Sequence, residues 1–241
     1  MGSPSPPRHE PRDPAARKAL GWLHSTRFLT TASRLEQLPE SGRPEIAFVG
    51  RSNAGKSSAI NRLAQQRQLA FASRTPGRTQ HINLFAIGPR EAPDALLADL
   101  PGYGYAAVER SAKRRWQEVM AEYLVQRESL RGVVLLVDAR LGLTTLDQHL
   151  LALLAVRLED ARVSLLVLLT KADKLSRQAA GRALRTVVAE LAQALPRGAD
   201  AAAVLFSALD GTGVPDTSRV LRDWVGQTAD RPGEHPDQTS T

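Results

Sequence analysis

Cysteine is missing altogether from the 241 residues. That excludes disulfides and thiolate-held metals and agrees with a reducing compartment. Histidine is scarce: His9, His24, His81, His149 and His235 are scattered, with no spacing suited to a zinc or iron site. Long apolar runs are lacking as well. The longest, VVLLV at 133–137 and LLALLAV at 150–156, fall far short of a membrane span, so no membrane is expected among the partners. The opening MGSPSPPRHEPRDP lacks the apolar centre of a secretory signal, and Pro6 stands where a myristoylation pattern needs Ser or Thr. No targeting signal is expected. The last absence is of one sign of charge. From Ile46 to Arg90 there are seven basic residues and no acidic one, in a chain of net charge +7. Phosphate, in a nucleotide, in RNA or in both, is the natural counter-charge. The plainer reading is an arginine-rich surface that is simply solvated.

What is present is ordinary in amount. Hydrophobic residues make up 42% and charged residues 24%, as in soluble globular proteins, and the length suits one domain with a sizeable core and short extensions. Residues 1–20 read as a Pro-rich, disordered leader, 21–43 as an N-terminal extension with a helical stretch near Ser33–Leu38, 44–226 as the domain, and 227–241 as a mobile tail. Six runs read as strands: EIAFVG, HINLFAIG, ALLADLPG, GVVLLVDAR, VSLLVLLTKAD and AAAVLFSAL. Helices are expected over Lys56–Gln66, Glu109–Ser129, Thr145–Arg157, Arg177–Ala194 and Pro215–Val225. Several strands are continuously apolar, which marks burial on both faces. The expected architecture is α/β, a six-stranded, mostly parallel sheet with helices on both faces. The turn between HINLFAIG and ALLADLPG is too short for a helical crossover, so that pair is expected to supply one antiparallel edge strand.

The stretch Gly50, Arg51, Ser52, Asn53, Ala54, Gly55, Lys56, Ser57 fits G-x-x-x-x-G-K-[ST], with a strand before it and a helix after. Glycines let backbone amides wrap a phosphate, the helix N-terminus faces the anion, Lys56 reaches the β- and γ-phosphates, and the Ser57 hydroxyl suits Mg2+. Three further stretches end apolar strands. In Asp99, Leu100, Pro101, Gly102 the carboxylate would sit beside the metal and the Gly102 N–H would meet the γ-phosphate. In Thr170, Lys171, Ala172, Asp173 the carboxylate can accept from guanine N1–H and the 2-amino group, and the Lys171 stem can lie along the base. In Phe206, Ser207, Ala208 the last N–H could meet the guanine 6-oxygen. Taken singly, Asp173 reads equally as a helix cap and Ser207 as a turn residue. Four such motifs in this order, all at one edge of an open sheet, define a guanine-nucleotide site.

GRSNAGKSS, TPGRTQHINLF, DLPGYGYA, TKAD and FSA together resemble the EngB group of bacterial ribosome-assembly GTPases, within the TrmE-Era-EngA-EngB-Septin-like superfamily, from about Phe28 to Gly226. The resemblance implies a Ras-like P-loop GTPase fold that binds GTP and GDP, a cytoplasmic location, and association with the RNA and proteins of the maturing large ribosomal subunit. It also implies a requirement in normal cell division and septation. A monomer is expected. By the same resemblance Gly77, Arg78, Thr79, Gln80 and His81 lie along the nucleotide, and Thr79 joins Ser57 on Mg2+; otherwise Thr79 is a turn-flanking hydroxyl. Many GTPases carry Asn where Thr170 stands, which implies lost loop-tethering contacts.

Lys56, Thr79, Gly102 and Asn53 are the expected catalytic set. Related GTPases use an asparagine at the place of Asn53 to hold K+, whereas a turn-forming Asn in left-handed geometry accounts for it equally. Tyr103 replaces the glutamine that often orients water in Ras-like enzymes, so slow hydrolysis is expected, raised by a partner or a cation. The cluster Arg110, Lys113, Arg114, Arg115, interleaved with Tyr103, Tyr105 and Trp116, reads as an RNA-contacting switch face or as solvated charge over a packed Trp116. Two other functions fit less well. A signalling or trafficking switch lacks its lipidation cysteine, and TKAD together with the absence of lid-like insertions speaks against an ATP-dependent kinase.

Overall fold

A computed structural model describes residues 13–70, 81–104 and 110–226, with the side chains of 110–117 left aside. One sheet organises it. Its seven strands are β1 (Arg27–Ala32), β2 (Glu45–Gly50), β3 (Ile82–Ile87), β4 (Ala95–Asp99), β5 (Leu130–Asp138), β6 (Ser164–Thr170) and β7 (Ala201–Leu205), in the order β1-β3-β4-β2-β5-β6-β7. The strands β4, β2, β5, β6 and β7 pair in parallel, while β3 is antiparallel to both neighbours. The antiparallel β3–β4 pair is therefore as expected, but the strand count is seven and β3 is not the edge.

The antiparallel edge strand is β1, so the N-terminal extension 21–43 contributes to the sheet, and residues 14–20 of the expected disordered leader are helical; residues 1–12 and 227–241 lie outside the described residues. Helix α1 (Pro14–His24) starts where Asp13 accepts the Ala15 N–H, with Pro14 in the first turn. It buries Ala16, Ala19 and Leu23. Arg27 then donates to the carbonyls of Gly88, Pro89 and Arg90, fastening the β3–β4 turn to β1. Pro-rich composition hid the Asp-Pro start, and the polar sequence RFLTTA hid a strand that faces the core on few of its residues.

The other helices are α2 (Lys56–Leu63), α3 (Arg110–Gln126), α4 (Thr145–Glu159), α5 (Arg177–Ala194) and α6 (Val214–Gly226). Only a 3-10 turn, Leu35–Gln37, stands in the Ser33–Leu38 stretch. Helix α2 is shorter than expected, because Gln65 takes a left-handed φ of 55° just past its end. One core layer packs α3, α4 and α5 on the sheet through Tyr123, Leu151, Leu154 and Val187; the opposite layer packs α1, α2 and α6 through Leu23, Ile60, Leu63 and Trp224. Each fully buried Leu or Ile contributes roughly 1.5–3 kcal/mol. Gly132 of β5 is dictated by this packing, since a Cβ there would lie 2.0 Å from the Trp224 ring.

The two ends of the sheet differ. At the end where β2 begins, Glu45 is fully buried and accepts from Tyr123 Oη (2.6 Å), Arg127 Nε (3.0 Å) and Arg127 Nη2 (2.6 Å). Arg127 also donates to the Pro39 carbonyl at 2.6 Å. Burial first, and then the Glu45 carboxylate, push the Tyr123 hydroxyl far above its usual range. At the other end Gly50, Asp99, Asp138 and Thr170 close β2, β4, β5 and β6, and Asp138 and Thr170 are partners in register.

Candidate nucleotide site

The loop between β2 and α2 is shaped by two left-handed residues, Asn53 (φ 66°) and Gly55 (φ 94°). Gly55 is the N-terminal flank of α2, which has no side-chain cap, whereas α1 and α5 are capped by Asp13 and Ser176 and α4 carries a Thr144–Asp147 capping box. The start of α2 therefore has no side-chain cap competing with an anion. Lys56 is buried and paired with Asp99, itself buried. Lys56 and Asp99, expected on phosphate and beside metal respectively, meet each other here. A cation and a carboxylate side by side match a phosphate–Mg2+ couple, each side chain having an oppositely charged partner to exchange to. Ser57 follows in the first turn of α2.

The segment after Asp99 lies against this loop. Leu100 enters the core and donates its N–H to the Phe48 carbonyl at 3.1 Å; Pro101 is buried beside it. A Cβ on Gly102 would sit 3.3 Å from Ser52 Cα. Tyr103 accepts the Ser52 N–H at its carbonyl (2.8 Å) and donates its own N–H to Gly50 (3.3 Å). Its hydroxyl donates to Asp147 Oδ1 at 2.5 Å, and Asp147 Oδ2 caps α4 through Thr144 N and Oγ1. Burial, then Asp147, hold the phenol protonated far above its usual range. The Tyr103 hydroxyl is therefore committed to α4.

TKAD and FSA meet through their side chains. Asp173 Oδ1 accepts from the buried Ser207 hydroxyl at 2.8 Å, and Lys174 lies 3.7 Å from Oδ2. The cap of α5 is Ser176, which takes the Ala179 N–H at 3.3 Å, so Asp173 is not a helix cap. Ser207 also accepts from the amides of Leu209 (3.2 Å) and Asp210 (3.3 Å), so it both holds the turn through Ala208 and steers Asp173. Phe206 is core, and its carbonyl takes the Ala172 N–H at 3.2 Å. The expected loss of tethering at Thr170 does not occur. Its hydroxyl reaches the Ala54 carbonyl at 2.6 Å, with the Val137 carbonyl at 3.1 Å, so it ties β6 to the phosphate loop. Lys171, left-handed at φ 58°, spans from this motif to the phosphate loop, with Nζ 2.7 Å from the Asn53 carbonyl and 2.9 Å from Asp138 Oδ2.

Asp138 is a residue the motifs did not announce. Arg140, through two guanidinium contacts of 2.9 and 2.7 Å, and Lys171 hold its carboxyl well below the usual carboxylate range against the opposing effect of burial. The signal was available: a carboxylate ending an apolar strand, as Asp99 does. Between this loop and the phosphate loop lies a cavity of about 230 Å³ lined by Ser52, Asn53, Asp138, Arg140, Thr144 and Lys171. His81 stands apart, its ring nitrogen 2.8 Å from Ser33 Oγ at the sheet margin. Gly77, Arg78, Thr79, Gln80 and Tyr105, and the side chains of Arg110, Lys113, Arg114, Arg115 and Trp116, lie outside the described residues.

A mostly parallel sheet carrying a phosphate loop, an acidic strand end and a TKAD–FSA pair at one edge defines a P-loop GTPase. A family profile described as "50S ribosome-binding GTPase" matches residues 45–171. The probable GTP-binding protein EngB of Acidovorax ebreus is 58% identical over 206 residues, covering 86% of this chain and 91% of that protein. The one from a Polaromonas species is 55% identical over 210 residues, covering 87% of this chain and 82% of that protein. In fold, the crystal structure of a probable GTP-binding protein engB covers 76% of this chain and 99% of its own, with a TM-score of 0.58 at 20% identity. This chain belongs to the EngB family of GTP-binding proteins and is a GTPase.

Proposed function

We propose that the chain is a slow, Mg2+-dependent GTPase that acts as a nucleotide switch in assembly of the large ribosomal subunit, with cell division and septation dependent on that supply. The observation that carries guanine recognition is Asp173, its carboxylate steered by the buried Ser207 and its neighbour Lys171 fixed to the phosphate loop. Only a guanine edge offers two donors to such a carboxylate. Mg2+, held by Ser57 with Thr79 and accompanied by Asp99, would neutralise charge developing on the transferred phosphoryl group. Lys56 exchanges Asp99 for phosphate oxygen, Gly102 offers its N–H, and Thr170 and Lys171 keep the loop aligned with the base pocket.

Tyr103 supports the slow rate, because its hydroxyl is engaged on Asp147 and does not orient water. A K+ ion beside Asn53 is a proposed accelerator; higher turnover in potassium than in sodium salts, abolished by Asn53→Ala, is the expected result. The ribosomal role draws on the family description, which names 50S binding, and on the basic charge. Asp173→Asn should reduce discrimination of GTP from ATP by about a hundredfold or more, as for a lost pair of polar contacts to a base edge. Unchanged discrimination by calorimetry would overturn the nucleotide reading. Co-sedimentation with large-subunit precursors in a non-hydrolysable GTP analogue but not in GDP tests the switch; equal sedimentation in both would overturn it.

A further inference from the structure

Helix α5 buries Ala180, Val187 and Leu191 against the sheet and turns Arg177, Arg182 and Arg185 to solvent. At 3.6 residues per turn the three arginines fall within an arc of about 140° and span about 12 Å of helix axis. No Asp or Glu occurs from 177 to 189. Several other arginines are neutralised locally: Arg219 by Asp13 and Asp216, Arg222 by Asp94, Arg140 by Asp138. Among the described residues, no carboxylate pairs with the three on α5, and Lys174 before them is shared with Asp173. Three like charges left together on one face cost self-repulsion unless a polyanion covers them.

We propose that this face of α5 docks the phosphate backbone of structured RNA, an inference that rests on the ribosomal part of the reading above. Helix α5 carries no aromatic residue, so it has no platform for stacking unpaired bases. Guanidinium groups without aromatic neighbours suit phosphate oxygens, which they grip in a bidentate manner. A 12 Å span is roughly the axial length over which a nucleic-acid strand presents three phosphates. Further along the same face the surface changes: Val188 is 49% exposed and borders an apolar groove with Leu191, Ala192 and Leu195. That groove would suit a protein segment, and it provides the contrast for the test. Because α5 is separated from the Gly102–Tyr103 segment by α4, its contribution should be the same with either nucleotide.

The experiment measures binding of the full chain to deproteinised large-subunit ribosomal RNA across a salt series, loaded with GDP or a GTP analogue. Arg182→Gln/Arg185→Gln should weaken binding about tenfold near 0.1 M salt and lower the slope of log affinity against log salt by about 2, with nucleotide affinity unchanged. Val188→Ser should bind like the parent. If the double variant keeps the parental slope, the α5 inference fails while the ribosomal reading stands. If Val188→Ser weakens binding as much as loss of the two charges, apolar contact rather than phosphate pairing carries the binding and the inference is wrong. Absence of any salt-dependent binding by the parent would instead bring down the ribosomal reading itself, and this inference with it.

Discussion

Two buried ion pairs sit at opposite ends of the same sheet and behave in different ways. Arg127–Glu45 and Lys56–Asp99 have similar burial: their side chains are 10% and 0% exposed in the first, 10% and 3% in the second. The first is satisfied on every side by two guanidinium contacts, a tyrosine hydroxyl and a backbone carbonyl. Among the described residues the second is a single point contact at the uncapped start of α2, where each partner has somewhere else to go. Burial alone does not say whether a charge pair is structural or functional. The number of geometrically fixed partners does.

The largest effect should come from the closed pair. Arg127→Met leaves the Glu45 carboxylate buried with only Tyr123, and loss of one partner of such a pair costs about 3–5 kcal/mol. For a domain of this size that is a fall in Tm of about 10 °C or more. Nucleotide affinity at a temperature where the variant is folded should stay within about twofold of the parent. A variant as stable as the parent by denaturant titration would erase the distinction between the two pairs.

Next comes the open pair. Lys56→Met replaces the cation by a chain of similar length and leaves Asp99 at a rim that water can reach once the ammonium is gone. Stability without nucleotide should change by less than about 1 kcal/mol, since functional sites are held at some cost to the fold. Nucleotide affinity should fall by about a hundredfold or more, removing the thermal stabilisation that bound GTP confers. If Lys56→Met unfolds the protein as readily as Arg127→Met, the comparison is broken from the other side.

Much of this could be read beforehand, and the reason is local. Strands buried on both faces announce themselves by continuous apolar runs, and the phosphate loop and TKAD are contiguous stretches whose chemistry follows from residue type. What escaped was non-local. RFLTTA becomes a strand because Arg27 can latch the β3–β4 turn, some sixty residues away in sequence. Thr170 keeps its tether because Ala54 happens to lie within reach of a short hydroxyl. Tyr103 finds Asp147, and Lys171 finds Asp138, across separate strands and helices. No spacing rule connects those positions; parallel register does, and register is fixed by the whole sheet.

Asp138 sharpens the contrast between the two ends, because it is a fixed pair placed at the functional end. Arg140 and Lys171 depress its pKa in the fold, so its ionised form contributes fully above the unfolded value of about 4 and that contribution is lost as pH falls through the depressed folded value. At neutral pH the carboxylate is present and Lys171 is anchored to it and to the Asn53 carbonyl. Asp138→Asn removes the charge while keeping the shape; Lys171 then retains only the Asn53 carbonyl, and GTP and GDP affinities should fall together by about five- to tenfold, near the worth of one charge-assisted hydrogen bond. The variant should also lose the acid-dependent part of parental stability below about pH 4, so that the two unfolding curves converge as acidity rises. A smaller change than Lys56→Met, equal for both nucleotides, places Asp138 among the fixed supports; a loss confined to GTP would mean that it answers to the γ-phosphate and belongs with the exchanging pair.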